Sequence, residues 1–448
     1  MSEPCRRRAG CRGALVEVIR FPDRVTFVLI PWAIPPMVRL STASYRHEAV
    51  RAGGRSEDAM ARIDVAAYYF PNYHRDARNE AWHGRGWTEW ELVKAARPRY
   101  EGHRQPIVPA WGCFDESDPQ WAAREIDLAA DHGVSTFIYD WYWYEDGAYL
   151  QDALERGFLR APNRERMRFA LMWANHDWTN IHPASFTNKP ETLAPGALSR
   201  AAFERMTDHI VTAYLSQPNY LTIDGCPYFS IYELGTFIRG MGGVDSAAQA
   251  IDSFRAKVRA AGFRDLHLNG VVWGVNVLPS ESKLPGESRR EVIDRLGFAS
   301  VTTYAWVHHF NPSGSGFPKS SYVAAMEANV AAWSRYREEF PMPYHPNVSM
   351  GWDPSPRTIQ SDTYENRGYP FTGILEGNTP AAFRTALEKA RDFIGAGPDQ
   401  HTLVTLNAWN EWTEGSYLLP DTHHGNAYLE AVRATFGVQP SARSAADG

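Results

Sequence analysis

The sequence is poor in cysteine, and the spacing of its few cysteines argues against two kinds of structural site. Four occur among 448 residues, at Cys5, Cys11, Cys113 and Cys226. No two of them form a C-x-x-C pair, so the pattern favours neither a zinc site nor a disulfide framework. So few cysteines are typical of a reducing compartment. We therefore predict no metal and no other cofactor.

Motifs of nucleotide and acyl-transfer chemistry are also missing. No D-x-D occurs, so the usual signature of a metal-bound nucleotide sugar is lacking. There is no P-loop, no G-x-S-x-G, and no G-x-G-x-x-G after the first predicted strand. These absences disfavour an NTPase, an α/β-hydrolase and a doubly wound dinucleotide-binding sheet.

Long apolar runs and an excess of basic residues are lacking as well. The net charge is −6, which gives no reason to expect nucleic acid as a partner. The apolar stretch VTFVLIPWAIPPMV over 25–38 is interrupted by prolines. A membrane-spanning helix needs about 18 unbroken apolar residues, and a signal peptide needs an uninterrupted apolar core. We predict no stable membrane insertion and, by default, a cytoplasmic protein.

The first sixty residues differ from the rest of the chain. They include CRRRAGCRGALVEVIR, which is basic and rich in small residues. We predict that 1–60 form a disordered extension or derive from a misassigned start ahead of Met37 or Met60, with a crude export or membrane-association signal as the alternative. One domain is predicted over 61–437 and a disordered tail over 438–448. The sequence does not indicate an oligomeric state.

From Asp64 onward, short apolar runs alternate with helical patterns. The runs are continuously apolar, as in strands that are buried on both faces. Helix starts such as Asp118-Pro119 and Thr379-Pro380 separate them. Eight such repeats predict an α/β fold, a (β/α)8 TIM barrel with long loops at the strand ends, rather than an open doubly wound sheet. The predicted strands are 64–70, 134–141, 168–175, 227–233, 266–273, 298–305, 346–352 and 402–410.

Polar and aromatic residues crowd the predicted strand ends. The chain has 16 Trp and 21 Tyr, and aromatic faces pack well against sugar rings. The carboxyl ends of barrel strands meet at one rim, which predicts a polar pocket that binds an oligosaccharide or polysaccharide. Any one of these residues alone is more often structural. The predicted stacking residues are Trp87, Trp90, Trp173 and Trp352, and the predicted hydroxyl-binding residues are Tyr69, Glu89, Asn175, Tyr232, Asp353 and Asn410.

Two carboxylates in LNAWNEWTEG (406–415) suggest catalysis. Glu411 and Glu414 follow the last predicted strand, three residues apart, with Trp409 and Trp412 beside them. In a short helix such residues are neighbours, so both could reach one sugar. Like charges this close cannot both ionise cheaply, so one would hold a proton and act as an acid beside a base. A solvated surface pair is the alternative.

Five blocks of the sequence resemble one known family. They are 67–106 (AYYFPNYHRDARNEAWHGRGWTEWELVKAARPRYEGHRQP), LMWANHDWT (171–179), NVSMGWDPSPR (347–357), GNTPAAFRTAL (377–387) and NAWNEWTEGSYLLPD (407–421). These resemble the WbsX-type family, also called the glycoside hydrolase family 99-like group. The resemblance implies a (β/α)8 catalytic domain.

The resemblance also implies particular chemistry. True family 99 enzymes are retaining endo-α-mannosidases and mannanases that need no metal, with a catalytic N-E-W-x-E-G motif. By analogy, Glu411 would act as a base on the sugar 2-hydroxyl, through an anhydro-sugar intermediate, and Glu414 as the acid/base at the leaving oxygen. Thr413 stands where those enzymes usually have His, a departure that bears on the sugar and the mechanism.

Three functions therefore stay open from the sequence. The first is a retaining glycoside hydrolase or transglycosylase on a bacterial polysaccharide. The second is a glycosyltransferase in O-antigen or capsule assembly, because the WbsX branch is often given that label. The third is a non-catalytic glycan-binding barrel.

Overall fold

The computed structural model describes residues 63–273, 288–397 and 402–438 of the chain. The extension predicted over 1–60 lies outside these residues. The tail predicted over 438–448 does so too, except for Val438. Within the described residues the chain folds around one parallel sheet.

The described residues contain eight parallel strands, which follow one another around a barrel in chain order. β7 consists of two segments on either side of Pro346. The first pairs with β6 and the second with β8, which nearly closes the ring. The predicted (β/α)8 barrel is confirmed. The strands are β1 (Ile63–Tyr69), β2 (Thr136–Tyr144), β3 (Arg168–Trp173), β4 (Cys226–Ile231), β5 (His267–Val271), β6 (Ser300–Thr302), β7 (Tyr344–His345 and Asn347–Ser349) and β8 (Thr402–Asn407).

Helices follow the barrel strands, with one exception. After β2 the chain forms only the π-helical turn Ala153–Gly157 and the 3-10 turns Phe158–Arg160 and Arg164–Arg166. That connection departs from the predicted repeat of strand and helix. The α-helices are Ala77–His83, Trp90–Ala95, Pro119–Asp131, Arg200–His209, Leu234–Met241, Val244–Ala260, Arg289–Arg295, Pro312–Ser315, Tyr322–Glu339, Pro380–Gly395 and Ala427–Phe436.

Several short strand pairs lie outside the barrel strands, and further short turns occur in the loops. Gly147–Tyr149 pairs with β2 and Thr222–Ile223 with β4. The remaining pairs are Trp178–Thr179 with Thr192–Ala194, Lys319–Ser321 with Ile374–Glu376, and Asn410–Glu411 with Ser416–Tyr417. The remaining short turns are Ile210–Tyr214, Trp306–His308, Ser355–Arg357 and Trp412–Glu414.

Two helices begin as the sequence predicts. The Asp118 side chain accepts a hydrogen bond from the Gln120 N–H at the start of Pro119–Asp131. The Thr379 hydroxyl does the same for Ala382 at the start of Pro380–Gly395. In both, proline takes the first helical position, where the missing N–H costs no hydrogen bond.

The pleat of the strands decides which side chains face the barrel interior. In β1, the Tyr68 ring lies 4.7 Å from the ring of Tyr304, which follows β6. Tyr69, one residue on, points the other way, and its hydroxyl donates to Glu125 of helix Pro119–Asp131 at 3.0 Å. Successive side chains of a strand alternate between faces, so neighbouring aromatic residues serve the interior and the helix layer in turn.

Candidate functional site

A cavity opens at the carboxyl ends of the strands. It encloses about 770 Å³, including the solvent at its mouth. Three of the predicted site residues line it, namely Tyr232, Glu411 and Glu414. The cavity is where the barrel prediction put the pocket, and its polar wall is assembled from many loops. The lining residues with polar or charged side chains are Asp140, Tyr142, His176, Asp177, Thr179, His182, Tyr232, Glu233, Tyr304, Arg357, Tyr369, Glu411 and Glu414.

A tight turn after β8 holds Glu411 and Glu414 at the cavity. Residues 410–417 fold back as a two-residue strand pair around a single 3-10 turn. Gly415 ends that turn with a φ of 63°, a left-handed conformation that suits glycine. A Cβ at this position would come within 2.7 Å of the Asp353 Cβ. The predicted short helix is thus one 3-10 turn, and its exit requires glycine.

Asn410 anchors this turn to the neighbouring strand. Its Oδ1 accepts from the Phe70 N–H, and its Nδ2 donates to the Phe70 carbonyl, both at 2.7 Å. The same Nδ2 donates to Glu116 at 2.6 Å. Because Phe70 follows β1, Asn410 fastens the end of β8 to the end of β1. Asn410 is predicted above to bind substrate; the structure instead gives it this fully buried anchoring position.

One arginine links the carboxylates of the site. The Arg357 guanidinium donates from Nε to Glu89 at 3.0 Å, from Nη2 to Glu411 at 3.0 Å, and from Nη1 to Glu414 at 2.5 Å. The Tyr369 hydroxyl donates to the same Glu414 oxygen at 2.7 Å. A guanidinium has donors in a fixed planar fork, so Arg357 fixes the relative positions of all three carboxylates.

Burial and crowding favour protonated carboxyl groups here. Burial raises the pKa of Glu411 well above its usual range; Arg357 opposes this, whereas Glu414 adds to it. Burial also raises the pKa of Glu414, against the effects of Arg357 and the Tyr369 hydroxyl. Burial lowers the pKa of His182, to about 3, so this imidazole is neutral and does not offset the negative charge. The site therefore retains a proton near neutral pH.

Glu89 lies behind the cavity rather than in it. It is fully buried and accepts hydrogen bonds from Arg357, the Thr413 hydroxyl and Asn72. Burial acts to raise its pKa, but the charge of Arg357 and the hydrogen bonds from Thr413 and Arg357 hold the pKa below its usual value. The prediction that Glu89 contacts a sugar hydroxyl does not fit this position. Its observed role is to hold Arg357 from behind.

Five further predicted residues also lie outside the cavity. Tyr69 and Trp173 point into the helix layer, where Trp173 packs against Phe203 and Phe237. Trp90 is buried and donates from Nε1 to the Phe114 carbonyl at 2.7 Å. Asn175 is buried and exchanges hydrogen bonds with the backbone of Glu233. Trp87 is partly exposed and packs on His83 outside the lining. The first four are buried structural residues, so direct sugar contact does not fit them.

Trp352 and Asp353 line a second cavity of about 720 Å³. Asp353 accepts hydrogen bonds from His103 at 2.8 Å and Gln105 at 2.6 Å. Its backbone N–H donates to the Glu414 carbonyl at 2.5 Å, and Gly415 also lines this cavity, so the cavity adjoins the turn over 410–417. The predicted sugar contacts of Trp352 and Asp353 thus do not belong to the cavity of Glu411.

Sequence reasoning assigned no role to several residues of the site. Arg357 lies within the block NVSMGWDPSPR, but nothing in its spacing indicates three carboxylate partners. Asp140 and Tyr304 stand at predicted strand ends, so their position was a usable signal. Tyr369 comes from a long loop with no pattern that could have revealed it.

Two findings concern the described residues alone. Among them, no group of three or more His, Cys, Asp or Glu side chains is arranged to hold a metal ion. None of the helices in those ranges is both long and apolar enough to cross a membrane.

Solved structures share the fold of this chain. A structure described as a glycoside hydrolase-like protein aligns with a TM-score of 0.55 and 18% identity, over 85% of this chain and 95% of that one. The GH99 endo-alpha-mannosidase from Bacteroides thetaiotaomicron, in complex with Bis-Tris propane, aligns with a TM-score of 0.50 and 13% identity, over 85% and 98%. At these identities the likeness concerns the barrel architecture.

Similar sequences give the family. Two curated relatives, both described as "Uncharacterized protein WxcX" and from two strains of Xanthomonas campestris pv. campestris, are 27% identical over 412 residues. These alignments cover 89% of this chain and 53% of each relative, so the chain spans about half their length. The family model described as "Glycosyltransferase WbsX" matches residues 65–432. The chain belongs to the WbsX family.

Proposed function

We propose that this chain is a carbohydrate-active enzyme that cleaves or transfers glycosidic bonds with retention of configuration. Its substrate would be a bacterial polysaccharide, with an α-mannan-like linkage as the first candidate. The observation that carries the proposal is the pair Glu411 and Glu414, which both line the cavity and both bind Arg357. Two carboxyl groups flanking one sugar are the machinery of most glycosidases.

The charges of the site support acid–base chemistry. Glu89, Glu411 and Glu414 surround a single guanidinium, so the cluster has more carboxyl groups than one cation can neutralise. A buried cluster of this kind lowers its energy by holding a proton. One carboxyl group can then donate a proton to the leaving oxygen while another accepts one.

We assign the two roles as the resemblance implies. Glu411 acts as the base towards the sugar 2-hydroxyl, and Glu414 protonates the leaving oxygen. The Tyr369 hydroxyl and Arg357 both hold Glu414, which fixes the direction of its carboxyl group. A fixed proton donor is more effective than a mobile one, because the geometry is set before the reaction.

Leaving-group dependence tests these roles. E411Q, E414Q and wild type would be assayed on glycosyl fluorides, which need no protonation to leave, and on the matching oligosaccharides. We expect E414Q to retain activity on the fluorides and to lose it on oligosaccharides, whereas E411Q loses both. Exposed Glu430, mutated to Gln, is the control. Wild-type rates in E411Q and E414Q would contradict the proposal.

The family description favours a second function, transfer from an activated donor. A nucleotide-sugar diphosphate needs positive charge around it. Among the described residues lining the cavity, Arg357 is the one lysine or arginine, and its nitrogens already bind carboxylates. The hydrolase or transglycosylase is therefore our first choice.

Binding experiments separate the remaining functions. Calorimetry with sugar nucleotides on the purified protein tests the transferase, which requires binding of such a donor. A non-catalytic glycan-binding barrel would instead bind polysaccharide without turnover, and would do so equally well in the double variant E411Q/E414Q.

A further inference from the structure

Asp140 is a buried carboxyl group of the cavity that the proposed mechanism does not use. It lies in β2 and is 3% exposed. Its Oδ2 lies 2.7 Å from the Tyr304 hydroxyl oxygen, which is hydrogen-bond distance. Its Oδ1 has no hydrogen-bond partner among the described residues. A buried, ionised carboxylate with a single neutral donor is poorly compensated.

Tyr304 connects Asp140 to Glu411. Its hydroxyl oxygen, which contacts Asp140, also lies 3.4 Å from Glu411 Oε1. A phenol has one proton, so it can donate to only one of these carboxyl groups at a time. If Tyr304 donates to Glu411, the 2.7 Å contact is a hydrogen bond only when Asp140 carries a proton and donates it to the Tyr304 oxygen. If Tyr304 donates to Asp140, the 3.4 Å contact is a hydrogen bond only when Glu411 carries the proton instead.

The charges around Asp140, Tyr304 and Glu411 decide between these two arrangements. Glu411 contacts the Arg357 guanidinium at 3.0 Å, which stabilises its ionised form against the burial that raises its pKa. Asp140 has no such direct contact, and Glu414 adds negative potential to it whenever Glu414 is ionised. The other titratable groups facing Asp140 are Tyr68, Tyr142 and Tyr232, which burial keeps neutral by raising their pKa values well above 10. The proton that Asp140 and Glu411 can exchange through Tyr304, which is distinct from the proton of Glu414, is thus better placed on Asp140 than on Glu411.

We propose that Asp140 is a positioning residue that carries the proton, donates it as a hydrogen bond to Tyr304, and thereby aims the Tyr304 hydroxyl at an ionised Glu411. The proton assignment rests on the local geometry and the surrounding charges, and its consequence for turnover rests on the proposed function. The other arrangement converts into this one when the Glu411 proton moves to Tyr304 and the Tyr304 proton moves to Asp140, so the number of protons on the three residues is unchanged. Asp140 and Tyr304 thus keep Glu411 ionised, so that it can accept the proton of the sugar 2-hydroxyl.

The electrostatics of Asp140 agree with this assignment. Burial raises its pKa well above the usual aspartate range, and the Tyr304 hydrogen bond and Arg357 only partly oppose the effect of burial. A hydrogen bond to an ionised carboxylate lowers its pKa. Removing the Tyr304 hydroxyl should therefore raise the pKa of Glu411 by about one unit, the equivalent of one hydrogen bond.

Carbon NMR of the carboxyl groups tests the proposal without requiring turnover. Wild type and Y304F would be labelled with ¹³C at the aspartate and glutamate carboxyl carbons and titrated, with D140N and E411Q identifying the two resonances. We expect Asp140 protonated at pH 7, Glu411 titrating at lower pH, and a rise of about one unit for Glu411 in Y304F. If D140N does not fold, the aspartate resonance that shifts in Y304F identifies Asp140.

A matched control removes another buried tyrosine hydroxyl. Tyr322 donates to the Ser349 carbonyl at 2.8 Å and lies outside the cavity lining, so Y322F should leave the Glu411 titration unchanged. In an active enzyme, Y304F should also move the acidic limb of the kcat/KM profile up by about one pH unit. An ionised Asp140 at pH 7, or an unmoved Glu411 in Y304F, would overturn the proposal. If the titrations are as expected but the protein shows no activity on any substrate, the proposed function is overturned and the proton assignment stands.

Discussion

Arg357 makes the most consequential contacts of any single side chain in the site. It is 5% exposed, and three carboxylates depend on it for compensation. Removing one partner of a buried ionic cluster costs more than the cluster contributes in total, because the remaining charges are left in a medium that solvates them poorly. Its contacts span long stretches of sequence, which explains why no local pattern reveals it.

We predict that Arg357→Gln lowers the free energy of unfolding by about 3–5 kcal/mol at pH 7 and abolishes activity. The loss should shrink towards pH 5, because the orphaned glutamates can then take up protons. Urea unfolding at the two pH values measures this.

A matched control for this prediction is Arg384→Gln. Arg384 is exposed and pairs with Glu388 four residues along a helix, an arrangement worth about 0.3–0.5 kcal/mol. If both variants lose an equally small amount of unfolding free energy, Arg357 is not the centre of the carboxylate cluster.

Among the elements, the turn over 410–417 depends on one left-handed backbone conformation at Gly415. We predict that Gly415→Ala lowers activity by on the order of 10²-fold, because the added Cβ would push against Asp353 and displace Glu414. Gly425→Ala is the control, since its φ of 54° is also left-handed but nothing lies within 4 Å of the new Cβ. Each variant should lose about 1–2 kcal/mol of stability from the backbone alone. Equal activities in the two variants would show that the close contact with Asp353 is unimportant.

The barrel strands could be predicted because continuous apolar runs separated by capped helices have few other solutions. Their boundaries were less predictable: the run 298–305 contains a strand of only three residues, Ser300–Thr302. The seventh strand is split at Pro346, which lacks the N–H that a strand interior needs.

The catalytic candidates could be predicted because Glu411 and Glu414 are close in sequence and follow the last strand. The prediction that Trp90 and Trp173 stack on sugars was wrong for a different reason. Trp173 points to the helices, whereas its neighbours Met172 and Ala174 line the cavity. A shift of one residue along a strand moves a side chain to the opposite face of the sheet, and composition alone does not show which face a residue occupies. Aromatic residues that stack on sugars and aromatic residues of the core have the same chemistry, so the sequence could not distinguish one from the other.

For the whole molecule, stability should depend on pH through Glu125, which joins helix Pro119–Asp131 to the barrel. Its carboxylate oxygens accept from Tyr69 and Trp409, and burial raises its pKa to about 8. A carboxyl group whose pKa is raised by folding contributes stability below its unfolded pKa of about 4.3. That contribution is lost as the pH rises through the folded value.

We predict that Glu125→Gln removes this dependence. As the pH rises from about 4.3 to 8, the unfolding free energy of the variant should increase relative to that of wild type by up to about 1.4 kcal/mol per pH unit. Urea unfolding of both proteins at pH 5, 6, 7 and 8 gives the difference, in which the other titrating groups cancel. Parallel stability curves would mean that Glu125 is already ionised in the fold.

The most direct test of the account follows the configuration of the first product. Purified wild type, E411Q and E414Q would be incubated with α-mannan and bacterial surface polysaccharides, and the new reducing ends observed by proton NMR before they mutarotate. We predict release of a product with the configuration of the cleaved bond, and none from either variant on these substrates. Release of the opposite anomer would contradict the retaining mechanism. Absence of any release, together with tight binding of a sugar nucleotide, would contradict the assignment to glycosidic cleavage.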